Sequence, residues 1–123
     1  MITGIEMITV NGGDYIISAS KDKRMRAWTI EGPALKGMAE QVFDCFINDL
    51  AQVNDSIVLG ALDNGSLGVW NIGDNTTSSL NGHNHPCLKV IVTSQNIISG
   101  DKAGFVQVRD LTSNPLYQVE TMN

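Results

Sequence analysis

One short segment of the 123-residue chain holds three side chains suited to metal or nucleophilic chemistry. His83, His85 and Cys87 alternate, so an extended backbone would project all three from one side. Zinc accepts imidazole and thiolate ligands, but a fourth ligand would have to come from elsewhere in the chain. A nucleophile made of Cys87 and His85 would lack a third group to orient the base. The segment therefore predicts no metal site, no catalytic residue and no cofactor.

A cluster of four cations is the second candidate. Lys21, Lys23, Arg24 and Arg26 hold half of the eight Lys and Arg residues of the chain. Such a cluster could bind an acidic peptide or a phosphate group, or it could be an ordinary solvated turn. The formal net charge is −5, so the field of the whole molecule repels the phosphate backbone of nucleic acids. A protein or peptide partner is therefore favoured over nucleic acid.

Composition narrows the class of protein further. With 42% hydrophobic and 17% charged residues, the chain has the composition of a folded domain. Its apolar runs, such as Ile57–Leu59, are far shorter than the roughly 20 residues of a membrane helix, so we expect no membrane span. The start of the chain has neither the basic residues nor the apolar centre of a secretory signal, which predicts an intracellular location. We expect Cys45 and Cys87 to be unpaired thiols that pack like apolar residues.

The elements that position these residues repeat along the chain. Residues 15–28, 56–70 and 96–109 each combine a β-branched apolar run, a turn cluster and a second, alternating run. Their last residues, Trp28, Trp70 and Arg109, lie 42 and 39 positions apart. This arrangement is typical of a tight β-hairpin. Each segment is therefore predicted to form a hairpin, with the candidate cations at the tip and descending strand of the first.

Further runs flank each hairpin and predict two more strands per repeat. Upstream lie apolar pairs three residues apart, namely Ile5 and Ile8, Ile47 and Leu50, and Cys87 and Val90. Downstream lie more polar runs that suit a solvent-facing outer strand, at residues 36–43, 76–80 and 116–121. The composition of residues 34–45 leaves one helical turn open as an alternative there.

The period near 40 residues and the Gly82-His83 pair resemble WD40 repeats, the four-stranded blades of a β-propeller. The resemblance covers essentially the whole chain. It implies an all-β propeller segment of three antiparallel blades, at residues 1–43, 44–81 and 82–123. The positions that match the structural residues of the family are Asp22, Trp28, Asn64, Trp70, His83 and Asp110.

The three repeats depart from the family at its buried network of Trp, Ser or Thr, His and a turn Asp. No repeat ends in the Trp-Asp pair, and the third has Ala103 and Arg109 at the Asp and Trp positions. We therefore expect that no blade completes the network. Because an incomplete buried network is unfavourable, packing of apolar side chains between sheets would hold the blades instead.

The number of blades bears on assembly. Closed propellers have about four to eight blades, so three do not close a ring. A seven-bladed ring at this period would need about 290 residues. We expect the chain to be a segment of a larger propeller, or to assemble with copies of itself, two copies giving six blades. An isolated monomer is not expected to persist.

The resemblance implies a non-enzymatic scaffold for protein–protein interactions. In the family, hairpin turns and the loops leading into the first strands share one rim of the ring, where partners bind. The positions that correspond to this rim are Lys21, Lys23, Arg24, Asp44, Asp63, His85 and Lys102. Two alternatives stay open: an enzyme with a site in the central channel, where Glu6, Asp49 and Lys89 would contribute, and a purely structural set of blades.

Overall fold

Strand-forming sequence gives this protein an all-β structure. The computed structural model describes residues 2–10, 13–32, 34–54, 56–110 and 119–122. All regular elements within these residues are strands, and none is a helix, so the all-β prediction is confirmed. It follows that the same residues include no helix long and apolar enough to cross a membrane.

The strands form three antiparallel sheets, each made of four consecutive strands paired in chain order. Sheet 1 contains β1 (Ile2–Val10), β2 (Gly13–Ser20), β3 (Arg24–Glu31) and β4 (Ala34–Val42). Sheet 2 contains β5 (Ile47–Gln52), β6 (Ile57–Leu62), β7 (Leu67–Asn71) and β8 (Thr76–Leu80). Sheet 3 contains β9 (Cys87–Val92), β10 (Asn96–Asp101), β11 (Val106–Asp110) and β12 (Val119–Met122).

In the outer strand β4, pairing with β3 overrides the helix propensity of the sequence. Ala34–Val42 is strand β4, so the alternative of a helical turn is wrong for these residues. Its backbone pairs with β3 from Arg24 opposite Val42 to Glu31 opposite Ala34. A ladder of this length supplies backbone hydrogen bonds that outweigh the modest helix propensity of Ala, Met, Glu and Gln. Residues 116–118 of the third predicted outer run lie outside the described residues.

Two apolar cores join the sheets, and sheet 2 contributes to both. The core between sheets 1 and 2 is formed by Ile17, Ala19, Met25, Ala27, Ile47, Leu50, Val58, Leu62 and Trp70. The core between sheets 2 and 3 is formed by Ala51, Leu59, Ala61, Leu67, Cys87, Val90 and Ile97. Sheet 2 is thus covered on both faces, whereas sheets 1 and 3 are each covered on one. Within the part of the chain that the structure describes, the three sheets form an open stack that does not close on itself.

The first strands of the sheets lie side by side, with β1 against β5 and β5 against β9. Polar side chains tie each of them to the backbone of the next. Thr3 donates to the carbonyl of Ile47 in this way. Asn48 Nδ2 donates to the Cys87 carbonyl at 2.9 Å, and Asp49 Oδ2 accepts from Val90 N at 3.1 Å. These bonds add to the two apolar cores in joining the three sheets into one stack.

The pairing register corrects one equivalence that the sequence suggested. Leu50 in β5 lies opposite Gly60, and the residue in the same place in β1 is Ile5, opposite Ser18. The apolar pair of β1 that matches Ile47 and Leu50 is therefore Ile2 and Ile5. The prediction of Ile5 and Ile8 is wrong by three residues. Because β1 contains isoleucines at three such positions, spacing alone did not determine which pair to choose.

Candidate functional site

The hairpin turns and the loops leading into the first strands meet along one edge of the stack. Backbone hydrogen bonds link them: Phe43 N donates to Lys23 O at 2.7 Å, Asp63 N to Phe46 O at 2.9 Å, His83 N to Gly65 O at 2.8 Å, and Lys102 N to Pro86 O at 2.9 Å. We call this edge the rim and define it as residues 21–23, 43–46, 63–66, 82–86 and 102–105. Because each bond joins a turn to a neighbouring loop, the rim is one continuous surface across three sheets.

Short polar side chains shape the three turns of the rim. Asp22 accepts from Arg24 N at 3.1 Å, Asn64 from Ser66 N at 3.0 Å, and Asp101 from Ala103 N at 2.9 Å and Phe105 N at 3.0 Å. Local bonds of this kind favour turns over continued strand. Each turn also has one residue at positive φ, namely Lys23 (73°), Gly65 (95°) and Gly104 (97°).

Five of the seven predicted binding residues are exposed on the rim: Lys21, Lys23, Asp44, His85 and Lys102. The ring of His85 stacks on Phe105, with ring centroids 6.4 Å apart. The structure therefore brings these residues to one surface, along which they are spread from sheet 1 to sheet 3.

The other two predicted residues are engaged within the protein. Arg24 begins strand β3, and its Nε forms an ion pair with Glu40 at 2.9 Å. Asp63 is half-buried and accepts from Asn48 Nδ2 at 3.2 Å. Arg24 thus lies at the start of a strand rather than in the turn, and its side chain, which is 41% exposed, is paired on the surface of sheet 1.

A buried polar network anchors the rim to sheet 3. His83 Nδ1 lies 2.9 Å from Asp101 Oδ2, and His83 Nε2 lies 2.8 Å from Ser99 Oγ. A carboxylate only accepts, so Nδ1 carries the proton, and in the neutral imidazole Nε2 accepts from the Ser99 hydroxyl. The side chains of His83 and Asp101 are 0% and 1% exposed. Both ring nitrogens of His83 are thus used inside the protein.

The sequence alignment puts Ala103 at the acidic position of this network and so predicted that the third repeat lacks the acidic member, which is wrong. Asp101, two residues earlier, bonds His83 with one carboxylate oxygen and caps the turn with the other. The sequence did contain a signal for Asp101, because it ends a strand just before a Lys-Ala-Gly turn. An Asp in that place can accept hydrogen bonds from the backbone of the turn. Sheet 3 therefore forms a His–Ser–Asp network that repeat alignment alone did not reveal.

The electrostatics of this network favour the ionised carboxylate. Burial by itself raises the pKa of Asp101, but hydrogen bonds from the Phe105 backbone, from His83 and from the Ala103 backbone outweigh it, so the pKa lies below the ordinary value. Arg109 stands nearby on β11 and is 2% exposed. Burial lowers the pKa of its guanidinium, an effect that Cys87 partly offsets. A buried cation thus takes the place where the other two sheets have tryptophan.

The remaining structural positions differ between the sheets. Trp28 Nε1 donates to Ser18 Oγ at 3.0 Å within sheet 1. Trp70 is 0% exposed, and its Nε1 instead donates to Asn75 Oδ1 at 3.1 Å. Asp110 ends β11 opposite Asn96. The two tryptophans therefore hold equivalent backbone positions with different hydrogen-bond partners.

Ser99, His83 and Asp101 are connected in the order of a hydrolytic triad, which raises the question of catalysis. Ser99 is only 2% exposed. A cavity of about 240 Å³ at the rim is lined by Gly82, His83, Asn84, His85, Asp101, Phe105 and Gln107. Ser99 Oγ does not line this cavity, so a substrate carbonyl in it would not meet the hydroxyl. The geometry is that of a structural network that holds the loop before β9.

The alternating residues 83, 85 and 87 do not converge. Strand β9 begins only at Cys87, so His83 and His85 lie in a loop, where side chains need not alternate. Cys87 is 0% exposed, and burial raises the pKa of its thiol to about 11. His85 points outward onto Phe105. Among the described residues, no group of three His, Cys, Asp or Glu side chains is arranged to hold a metal ion.

The arrangement of strands has a counterpart among solved structures. No family model and no curated protein sequence matches the chain. The chain is similar to the computationally designed Ika8 protein, with a TM-score of 0.72 and 23% sequence identity over 97% of its own length. It spans 36% of the designed protein. At this identity the likeness concerns the fold alone.

Proposed function

We propose that the chain is a non-enzymatic scaffold for protein–protein interactions of the WD40 type. Its blades would be residues 1–43, 44–81 and 82–123, each built around one of the three sheets. The observation that carries the proposal is the continuous rim, in which four backbone hydrogen bonds join the turns and loops of all three sheets into one surface. A rigid sheet stack that presents turns and loops on one edge is suited to binding a partner.

The chemistry of the rim favours a protein or peptide that carries acidic groups. Lys21, Lys23 and Lys102 are exposed there. Of the exposed acidic residues, Asp22 is paired with Arg26, and Asp44 supplies a negative charge between the lysines. Charges exposed at a rim steer encounter and set the register of a partner more than they add affinity. The exposed His85–Phe105 stack adds a flat aromatic contact at the sheet 3 end.

A site among the inner strands is the competing function. Burial, together with the nearby charge of Asp49, raises the pKa of Glu6. Paired carboxylates with separated pKa values are typical of acid–base sites. However, Asp49 accepts the Val90 N–H at 3.1 Å and so helps to join β5 to β9. This structural role of Asp49 favours the scaffold over the enzyme.

Two charge reversals of the same kind test the scaffold. Lys21→Glu changes the rim, whereas Lys36→Glu makes the same change on the exposed outer strand β4. In a pull-down from cell extract, the Lys36→Glu protein should keep the partners of the unmodified protein, and the Lys21→Glu protein should lose some of them. Equal melting temperatures would show that both variants fold. If both retain the same partners, the rim of sheet 1 is not a binding surface.

A further inference from the structure

The faces of the three sheets are equivalent from one sheet to the next. We call face A the side that carries Ile17 in sheet 1, Leu59 in sheet 2 and Ile98 in sheet 3. We call face B the side that carries Trp28, Trp70 and Arg109. The ladder sets these equivalences, because Trp28 lies opposite Ile16, Trp70 opposite Val58 and Arg109 opposite Ile97.

Inside the chain, face A of one sheet packs on face B of the next. Ile17 and Met25 of face A in sheet 1 share a core with Leu50 and Trp70 of face B in sheet 2. Leu59 and Leu67 of face A in sheet 2 share the second core with Val90 and Ile97 of face B in sheet 3. The same relation thus occurs twice. Face B of sheet 1 and face A of sheet 3 are left facing solvent.

Face B of sheet 1 carries apolar side chains like those of a buried sheet face. In the single chain, however, these side chains are exposed to solvent. Ile2 and Ile5 are 54% and 66% exposed, whereas the equivalent Ile47 and Leu50 of sheet 2 are 0% and 4% exposed. Its charged groups are already paired, Arg26 with Asp22 at 2.7 Å and Arg24 with Glu40 at 2.9 Å. Covering this face would therefore bury apolar surface without leaving those charges uncompensated.

Face A of sheet 3 shows the same mismatch. Val106 is 40% exposed, whereas Met25 and Leu67, its equivalents in sheets 1 and 2, are 0% exposed. On the same face, Ile91 lies opposite Ile98 and is 59% exposed. When two sheets pack face to face, the apolar side chains on the facing sides are the ones that become buried.

The side chains of the two free faces also match in size. Where sheets 1 and 2 meet, the Met25 methyl group lies in the space that a Cβ of Gly60 would occupy. A shorter residue at the Met25 position leaves room for a larger one at the Gly60 position. The three pairs at these equivalent positions are Met25 with Gly60, Leu67 with Ser99, and Val106 with Ser18. In size, the free pair of Val106 and Ser18 therefore resembles Leu67 and Ser99, the pair that is buried between sheets 2 and 3.

We propose that face A of sheet 3 in one copy of the chain packs on face B of sheet 1 in a second copy, in the relation that both internal interfaces use. This inference rests on the blade arrangement of the proposed function and not on the partner-binding role of the rim. Two copies that make the contact twice form a symmetric dimer of six sheets, within the range of closed sheet rings. Closure covers both free faces at once.

The oligomeric state of the 123-residue protein and of two single variants tests this contact. Ile5→Lys alters only face B of sheet 1, and Val106→Lys alters only face A of sheet 3. Both residues are exposed in the single chain, so the variants should fold, which circular dichroism would verify. Phe46→Lys is the matched control, because Phe46 is 41% exposed on the rim and belongs to neither face.

Light scattering coupled to size exclusion should give twice 13.3 kDa for the unmodified and Phe46→Lys proteins. Each face variant should raise the dissociation constant by about 30-fold or more, as expected for loss of a central interface residue. Larger assemblies that both face variants dissolve would also support the contact. A monomer at all concentrations would overturn it, and so would an assembly that Ile5→Lys dissolves but Val106→Lys does not, because sheet 1 would then pack on sheet 1.

The rim experiment is independent of this outcome. A monomer that still loses partners through Lys21→Glu would overturn the second-copy contact and leave the scaffold standing. A dimer whose partners are unaffected by Lys21→Glu would overturn the binding rim and leave the contact standing.

Discussion

Gly65 and His83 join sheets 2 and 3 at the rim, where the His83 N–H donates to the Gly65 carbonyl at 2.8 Å. The two backbones come close because neither Gly65 nor Gly82, the residue before His83, has a side chain. A Cβ on Gly65 would overlap the carbonyl of His83, and a Cβ on Gly82 would lie 2.8 Å from the carbonyl of Gly65. Glycine on both sides of the contact lets a turn of one sheet rest on the loop that carries the buried histidine of the next.

The first prediction compares two glycines at positive φ. Gly65 has φ of 95° and a crowded Cβ position, whereas Gly32 has φ of 60° and nothing within 4 Å of its Cβ position. Gly32→Ala should lower the free energy of unfolding by about 1 to 2 kcal/mol, the conformational cost alone. Gly65→Ala should lower it by clearly more, because backbone must also move. Urea denaturation measures both, and equal losses would show that the Gly65–His83 approach adds nothing to stability.

The second prediction concerns acid stability. The pKa of Asp101 in the folded protein is below its ordinary value, so ionised Asp101 stabilises the fold above the pKa it has in the unfolded chain. This contribution is lost as the pH falls through the folded pKa. Asp101→Asn should destabilise the protein at pH 7 and reduce the loss of stability between pH 7 and about pH 3. Urea midpoints at the two pH values measure this effect, which an unchanged pH dependence would contradict.

The third prediction uses the two cysteines as probes of opening. Cys87 is fully buried with a pKa of about 11, whereas Cys45 is half-buried. While sheets 2 and 3 are packed together, burial keeps Cys87 as the unreactive thiol at pH 8. A disulfide reagent should therefore label Cys45 first and Cys87 only at the rate at which sheets 2 and 3 separate. Mass spectrometry of the labelled peptides checks the order, and rapid labelling of Cys87 in native protein would contradict it.

The fourth prediction separates the two tryptophans. Trp70 is fully buried between sheets 1 and 2, whereas Trp28 is half-buried on face B of sheet 1. The comparison uses the Ile5→Lys protein, in which we expect self-association to be weakened. In that protein, Trp70→Ala should lower the free energy of unfolding by about 3 to 5 kcal/mol, the usual cost of deleting a core aromatic. Trp28→Ala should cost much less there, since the single chain leaves its ring partly in water. Similar losses for both would mean that Trp28 is as well packed as Trp70.

Several features were predictable because they depend on neighbours in the sequence. The hairpin of β6 and β7 follows from apolar runs on either side of Asn64-Gly65, where glycine supplies the positive φ of the turn. The outer strand β8 is polar and exposed, as the run of Thr and Ser residues indicates. These elements form in the same way whatever sheet they later pack on.

Other features were decided by contacts between distant residues. The sequence offered three isoleucines in β1 at equal spacing, and only the ladder with β2 determined that Ile2 and Ile5 match the buried pair of β5. The alignment put Ala103 at the acidic position of the network, whereas in the structure the carboxylate that bonds His83 is that of Asp101, at the end of β10. Local pattern determined which segments became strands, because alternation and turn chemistry act within a few residues. Only the tertiary structure decided register, network partners and which faces stay open, because these depend on the sheet that lies opposite.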